Sequence, residues 1–276
     1  MSATMAHPRT VEGTVFYARD TGRVETFHAN DLSLDTVQKD AHTVPIIDAR
    51  TLAQAPQLDV NGFELFTMLT AVTDWRDAER ASAIHPDEIA AFVKRITGAD
   101  EVLVAGPPIL RWGERSPEAG TRHNSYAARL VHSDSYFSAA EQQSTDSNPH
   151  PDRTVKRCAH HNIWRAFSGP PIDVPLTICD ATTVKDEDVI EASAAFDVDG
   201  KVTWRLPSMN FIYSPRHRWY FFSDMTPDDV LVFKRWDTDS AVARYVPHTA
   251  FTDPSVGSDS EPRASVEMRT LAYWYE

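Results

Sequence analysis

The segments ARYVPHTAF (243–251) and SVEMRTLAYW (265–274) decide how the second half of this chain is built. In the second of them, Ser265, Glu267 and Arg269 alternate with Val266 and Met268. That period of two is the pattern of a strand whose two faces meet different surroundings. Working back, DVLVFKRW (229–236), HRWYFF (217–222) and NFIY (210–213) are further strand candidates, rich in aromatic and β-branched residues. FDVDGKVTW (196–204) reads as two short strands joined at an Asp199-Gly200 turn. About eight short strands therefore follow residue 160, the content of a double-stranded β-helix, or jelly-roll, core. The fold class is mostly β with flanking helices.

Before that run the texture differs. TVFYAR (14–19) reads as a first strand, and residues 20–60 are polar and weakly patterned. A helix is expected over 62–82, with Phe63, Leu65, Phe66 and Leu69 among its apolar residues. A clearer helix is expected over 86–97. Pro86 suits its first position, Asp87 and Glu88 face the positive end of the dipole, and Gly98 can end it. EVLVAG (101–106) reads as a strand, and 107–125 and 138–156 as loops flanking the short strand AARLVHSD (127–134). We expect one domain, residues 1–276, with a strand and helix region over 1–106 that buttresses a jelly-roll core over 107–276.

Composition narrows the function by exclusion. With 276 residues and 42% hydrophobic residues, a sizeable core can form. The net charge of −13 is spread along the chain and disfavours nucleic acid or an anionic membrane as a partner. The two cysteines, Cys158 and Cys179, are too few for a disulfide framework. No signal-peptide h-region or membrane-length apolar run is visible, so the expected location is the cytoplasm. There is no internal repeat, no G-x-S-x-G, no Walker A and no dinucleotide glycine motif.

The chemistry sits in three places. His132 and Asp134, two apart on a strand, present an imidazole and a carboxylate from one face. A second histidine would complete a facial triad suited to non-haem iron(II), leaving positions for a co-substrate and oxygen. His248 is the first candidate for it, and His217 in RHRWYFF is the rival. The face carrying Arg263, Ser265, Glu267 and Arg269 suits a polar cavity. An arginine there can hold the far carboxylate of a chelating keto acid, and a serine hydroxyl can assist. Arg263 is the first candidate for that clamp and Arg269 the second. His160 and His161 follow Cys158, but adjacent strand residues face opposite ways, which argues against a second metal site. Asp197 and Asp199 lack the remaining ligands of a calcium loop and read as part of a hairpin.

Several longer segments carry a resemblance. NIWRAFSGPPIDVPLTICDATTV (162–184), YSPRHRWYFFSDMTPDDVLVFKRWDTD (213–239), PHTAFTDP (247–254) and RASVEMR (263–269) look like one small family. It includes the cephamycin 7-alpha-hydroxylase component, gibberellin desaturase-like proteins and the AsaB-type hydroxylase/desaturases. That family is similar to Fe(II)/2-oxoglutarate-dependent oxygenases with a jelly-roll core. The resemblance implies His132, Asp134 and His248 as catalytic metal ligands, Arg263 with Ser265 as the oxoglutarate clamp, and Fe(II), 2-oxoglutarate and O2 as cofactor and co-substrates. It implies oxidation of a C–H bond in a small specialised metabolite, by hydroxylation, desaturation or ring formation. Trp164 and Arg165, together in NIWR, are candidates for the mouth of the substrate pocket. The competing expectation is a cupin-like jelly roll that binds metal without oxoglutarate. The expected partner is a small molecule rather than nucleic acid or membrane, with a homodimer left open.

Overall fold

The computed structural model describes residues 8–29, 31–121, 125–198 and 201–276. In chain order the elements are β1 (Thr10–Ala18), β2 (Glu25–His28), β3 (Lys39–Asp48), β4 (Phe63–Thr67), α1 (Ala78–Thr97), β5 (Glu101–Val104), β6 (Ile109–Trp112) and β7 (His132–Ser133). There follow α2 (Phe137–Asp146), β8 (Val155–Ala166), β9 (Leu176–Cys179), β10 (Val189–Val198), β11 (Lys201–Phe211), β12 (Trp219–Phe221), β13 (Asp229–Asp237), β14 (His248–Ala250) and β15 (Ala264–Tyr275).

These strands form two sheets, the jelly-roll core expected from the sequence. One runs β1-β3-β12-β9-β14-β7-β11-β10-β2, and the other runs β4-β13-β8-β15-β5, with β6 also paired to β15. Strand alternation sorts the residues between them. Trp164, Leu231 and Phe233 of the smaller sheet meet Leu176, Ile178 and Tyr220 of the larger one in a shared apolar cluster. The neighbouring residues Ile163, Val230, Val232 and Met268 face the other way, onto Ile89, Phe92 and Val93 of α1. The helix thus covers the outer face of the smaller sheet. Burying those side chains contributes roughly 1.5–3 kcal/mol each.

Four local expectations are corrected, one of them the loop over 107–125, where β6 (Ile109–Trp112) pairs antiparallel with β15. The helix placed over 62–82 is a strand, β4, over 63–67, antiparallel to β13 from Phe63↔Phe233 to Thr67↔Asp229. Phe63 packs between the sheets while Phe66 packs on α1, so the apolar positions serve two faces rather than one helical stripe. The helix itself begins at Ala78, where the Asp77 side chain accepts from the Arg80 N–H, and Pro86 lies inside it rather than at its start. Burial of Ala81 and His85 on the turns before the proline holds those turns in place against the missing hydrogen bond. Gly98 does end this helix, in the left-handed region at φ 69°.

The stretch 138–156 is not all loop, because α2 covers Phe137–Asp146. Its buried residues are Ala140 and Ser144, and the Ser144 hydroxyl reaches His160 at 2.9 Å. The weakly patterned stretch 20–60 contains β2 and β3, which join the larger sheet. Residues before 107 therefore supply strands to both sheets as well as a helix to one face. The Asp199-Gly200 turn lies outside the described residues, though β10 and β11 pair on either side of it.

Candidate active site

The short strand β7 lies between β14 and β11, which sets the site's geometry. His132 pairs with His248 on one side and with Asn210 on the other. That register places the two imidazoles side by side, with ring centroids 4.4 Å apart. Asp134, two residues beyond His132, comes round so that its Oδ1 is 3.7 Å from His132 Nε2. One ligand atom from each of His132, Asp134 and His248 lies within 4.8 Å of the others. Atoms about 2.0–2.2 Å from one ion stand no more than about 4.4 Å apart, so small side-chain adjustments suffice to seat a metal.

The protonation states fit such an ion. His132 Nδ1 faces the Leu130 carbonyl at 2.7 Å and His248 Nδ1 faces the Val246 carbonyl at 3.3 Å. Protons on both Nδ1 atoms leave both Nε2 lone pairs for a ligand. Burial lowers both histidine pKa values, that of His248 to about 3 with His132 adding to the effect, so both rings are neutral. Burial alone would raise the Asp134 pKa. The charged guanidiniums of Arg269, first, and Arg235 oppose it, and the carboxyl is held well below its usual range. Two neutral imidazoles and one carboxylate are the donor set of a non-haem iron(II) site.

Around Asp134 the groups are fixed. Asn162 Nδ2 donates to its Oδ2 at 2.7 Å, and Arg269 Nη2 lies 3.3 Å from the same atom. Arg269 Nε also donates to Glu267 Oε1 at 3.2 Å. The second candidate for an oxoglutarate clamp is thus held by two carboxylates of the protein.

Arg263 is placed differently. It is 2% exposed, its Nε donates to Ser265 Oγ at 3.1 Å and its Nη1 to the Val174 carbonyl at 3.0 Å. It forms no ion pair among the described residues. Burial, with Arg111 and Arg129 nearby, pushes its pKa down to about 9, the mark of a cation short of negative partners. Its guanidinium stands 5.1 Å from the Trp164 ring centre. The Trp164 Nε1 is buried with no hydrogen-bond partner among the described residues.

Arg263, Trp164, Glu267 and the His132–Asp134–His248 trio line one cavity of about 330 Å³, measured to its open side. A second, wider cleft of about 560 Å³, again including its opening, shares His132, Asp134, Arg111 and Ala128 with the first. Its other walls are mainly apolar, with Phe27, Leu130, Phe196 and Leu206 among them. The trio stands where the two spaces meet.

Arg165 is not at either mouth. As the neighbour of Trp164 it faces away from the cavities, its Nη1 donating to the Pro227 carbonyl and its Nη2 to that of Met68, each at 3.2 Å. The rival ligand His217 is also elsewhere, 2.9 Å from the Tyr17 hydroxyl and 3.2 Å from Asp188. His160 and His161 face opposite ways as expected, His160 toward Ser144 and His161 toward a pocket that also holds Asp59 and Arg157. Sequence reading missed Asn162, Arg111 and Asn210. The first shares the strand face of Trp164 two residues on, a usable signal. The others have none without knowing which strands are neighbours.

Fold and site together define the class: an Fe(II)/2-oxoglutarate-dependent oxygenase. The chain belongs to the oxidoreductase/YMDC permease-like domain family, whose model matches residues 15–273. Among curated relatives, the hydroxylase/desaturase CTB9 of Cercospora beticola is 29% identical over 260 residues, covering 85% of this chain and 77% of its own. The Fe(II)/2-oxoglutarate-dependent dioxygenase nvfI of Aspergillus novofumigatus is 27% identical over 240 residues, covering 84% and 83%. The solved structure of the iron and alpha-ketoglutarate-dependent endoperoxidase NvfI shares the fold, with a TM-score of 0.82 at 22% identity over 98% of this chain and 100% of that one. Among the described residues no helix is long and apolar enough to cross a membrane, whatever the family's descriptor.

Proposed function

We propose that this enzyme oxidises a C–H bond of a small specialised metabolite, with His132, Asp134 and His248 holding the iron and Arg263 holding 2-oxoglutarate. One observation carries the reading: the three converging donors and the unpaired buried arginine line the same cavity. A cupin-like metal binder has no use for that arginine. When bound, iron(II) with 2-oxoglutarate and O2 supplies the oxidant for the C–H bond, releasing succinate and carbon dioxide. Hydroxylation, desaturation and ring formation are all outcomes of that chemistry. The relatives named as hydroxylase/desaturase and endoperoxidase support that range.

The protein's own residues have separable tasks. Neutral His132 and His248 offer lone pairs, and Asp134 supplies the one anionic donor. Asn162 and Arg269 fix the Asp134 carboxylate so that its free oxygen stays turned toward the histidines. Arg263, set by Ser265 and the Val174 carbonyl, presents positive charge to the far carboxylate of the keto acid. Trp164 walls the same end and offers an indole N–H. The apolar cleft takes the substrate and keeps bulk water from the trio. We read the whole chain as one oxygenase unit, since residues before 107 build both sheets.

The test is spectroscopic. Under anaerobic conditions, iron(II) and 2-oxoglutarate added together should give a weak visible charge-transfer band that neither gives alone. Admitting oxygen should bleach it and release succinate. Iron binding with no band and no succinate would return the chain to the metal-binding jelly rolls.

A further inference from the structure

The wider cleft contains a polar group that the tasks above leave unused. Asn210, on β11, is 2% exposed and lines that cleft. Its Nδ2 is buried without a hydrogen-bond partner among the described residues. Alternation along β11 gives it a consistent set of neighbours: Leu206 and Ser208 line the same cleft. Met209 and Phe211 face the opposite way, into the cluster with Tyr17 and Trp219. Asn210 also pairs directly with His132 across β7–β11, so its carboxamide flanks a candidate metal ligand.

A buried amide without a partner is a cost to the folded chain unless something else satisfies it. The charged groups of the cleft are already engaged: Arg269 with Asp134 and Glu267, Arg111 with the Tyr126 carbonyl. The cleft thus presents apolar walls, tied-down charges and one carboxamide beside the trio. A ligand that matches it is largely apolar and carries an oxygen that can pair with an amide.

On the oxygenase reading above, we infer that Asn210 is the substrate-positioning residue. It hydrogen-bonds a carbonyl or hydroxyl oxygen on an otherwise apolar substrate, and so presents a neighbouring C–H to the metal. Phe27 on β2 and Phe196 on β10 then pack its apolar body within the cleft.

The probes are 1-tetralone, an apolar bicyclic ketone, and tetralin, which lacks only its oxygen. Their dissociation constants are measured by ligand-observed NMR on the anaerobic protein loaded with iron(II) and 2-oxoglutarate. Wild type should bind the ketone about tenfold more tightly than the hydrocarbon, which corresponds to ~1.4 kcal/mol. Asn210→Leu should bind both alike, with tetralin affinity kept and the visible band intact. Asn210→Ser, smaller and still polar, serves if the leucine variant does not fold, and should lower the preference without removing the band. Four results would overturn the proposal: no preference in wild type, a preference that survives in Asn210→Leu, no binding of either probe, or loss of the band in the variants. The last would assign Asn210 to the metal site. Absence of the band in wild type would instead refute the oxygenase reading, independently of which probe binds.

Discussion

Replacing Arg263 with alanine tests the co-substrate assignment most directly. A charged hydrogen-bonding partner removed from a buried site costs on the order of 2–5 kcal/mol of binding. The structure argues for the lower part of that range. Two of the five Arg263 N–H donors, one on Nε and one on Nη1, are already committed to Ser265 and the Val174 carbonyl, so Nη2 is the nitrogen with both hydrogens free for a carboxylate. The Ser265 hydroxyl donates to the Arg111 carbonyl at 3.2 Å and must turn away from it to help. A partly engaged guanidinium with a desolvated positive charge is worth about 2–3 kcal/mol, or roughly 30- to 150-fold in the oxoglutarate dissociation constant. The assay is anaerobic titration of the iron-loaded protein with oxoglutarate, following the visible band, with iron affinity measured separately. Arg263→Ala should keep its iron and lose oxoglutarate affinity by that factor. Arg263→Lys should recover part of it, since the charge returns without the planar fork. Ser265→Ala should cost only a few-fold. An Arg263→Ala variant that is folded, binds iron and titrates like wild type would refute the assignment. It would point to Arg111 or the Trp164 N–H as the carboxylate's partner.

Asn162→Ala should lower iron affinity by about 10–100-fold, as removal of a group orienting a metal ligand does, with little change in oxoglutarate affinity once iron is saturating; competition with a chelator reads this. Arg269→Gln should weaken iron binding and lower thermal stability together, because it leaves Asp134 and Glu267 buried without their shared cation; an oxoglutarate defect without either effect would restore Arg269 as the clamp. Arg165→Met should shift the thermal midpoint and leave iron and oxoglutarate titrations unchanged, since its bonds run to Pro227 and Met68. His85, packed against Trp75 with a ring-centre distance of 4.7 Å, has its pKa lowered from 6.5 to about 4 by burial, against the pull of Glu88. The folded state therefore disfavours its protonation, so its contribution is complete above pH 6.5 and is lost as pH falls toward 4. That contribution is up to about 3 kcal/mol. Urea midpoints at pH 7.5 and 5 should fall further apart for wild type than for His85→Gln.

What could be read from sequence followed the pleat. The alternation through Ser265, Glu267 and Arg269 identified one polar face of β15, and the structure turns that face to the cavity. The His-x-Asp spacing set His132 on β7 and Asp134 just past its end close enough to converge with His248. Periodicity cannot say which side of a strand faces inward, so the sequence alone groups Arg165 with Trp164. Both belong to NIWR, but one pleat separates a cavity wall from the outer packing of the smaller sheet. The β4 error has the same origin. Phe63, Leu65 and Phe66 serve a strand buried on both faces, and such a run looks like a helical segment until its partner β13 is known.

The residues that sequence missed share a physical reason. Asn162, Arg111 and Asn210 matter only through strands far away in the chain: Asn162 through Asp134, Arg111 through its pairing with Ser265, Asn210 through His132. Each is a polar residue whose neighbours along the chain do not show what it faces. The jelly roll reverses that expectation, because its two sheets enclose a polar centre beside an apolar one. Trp164, Leu231 and Phe233 fill the apolar part, and Glu267 and Arg269 pair directly beside Trp164 and Asn162 on the same inner face of the smaller sheet. A sheet pays for such a row of buried charges only if they are satisfied in pairs or by a ligand. Arg269 meets Asp134 and Glu267, whereas Arg263, on the same strand face, meets no carboxylate among the described residues. The difference between these two arginines, six residues apart, is what our proposal rests on: one holds the proposed metal ligand Asp134 in place, and the other is the proposed partner of an incoming anion.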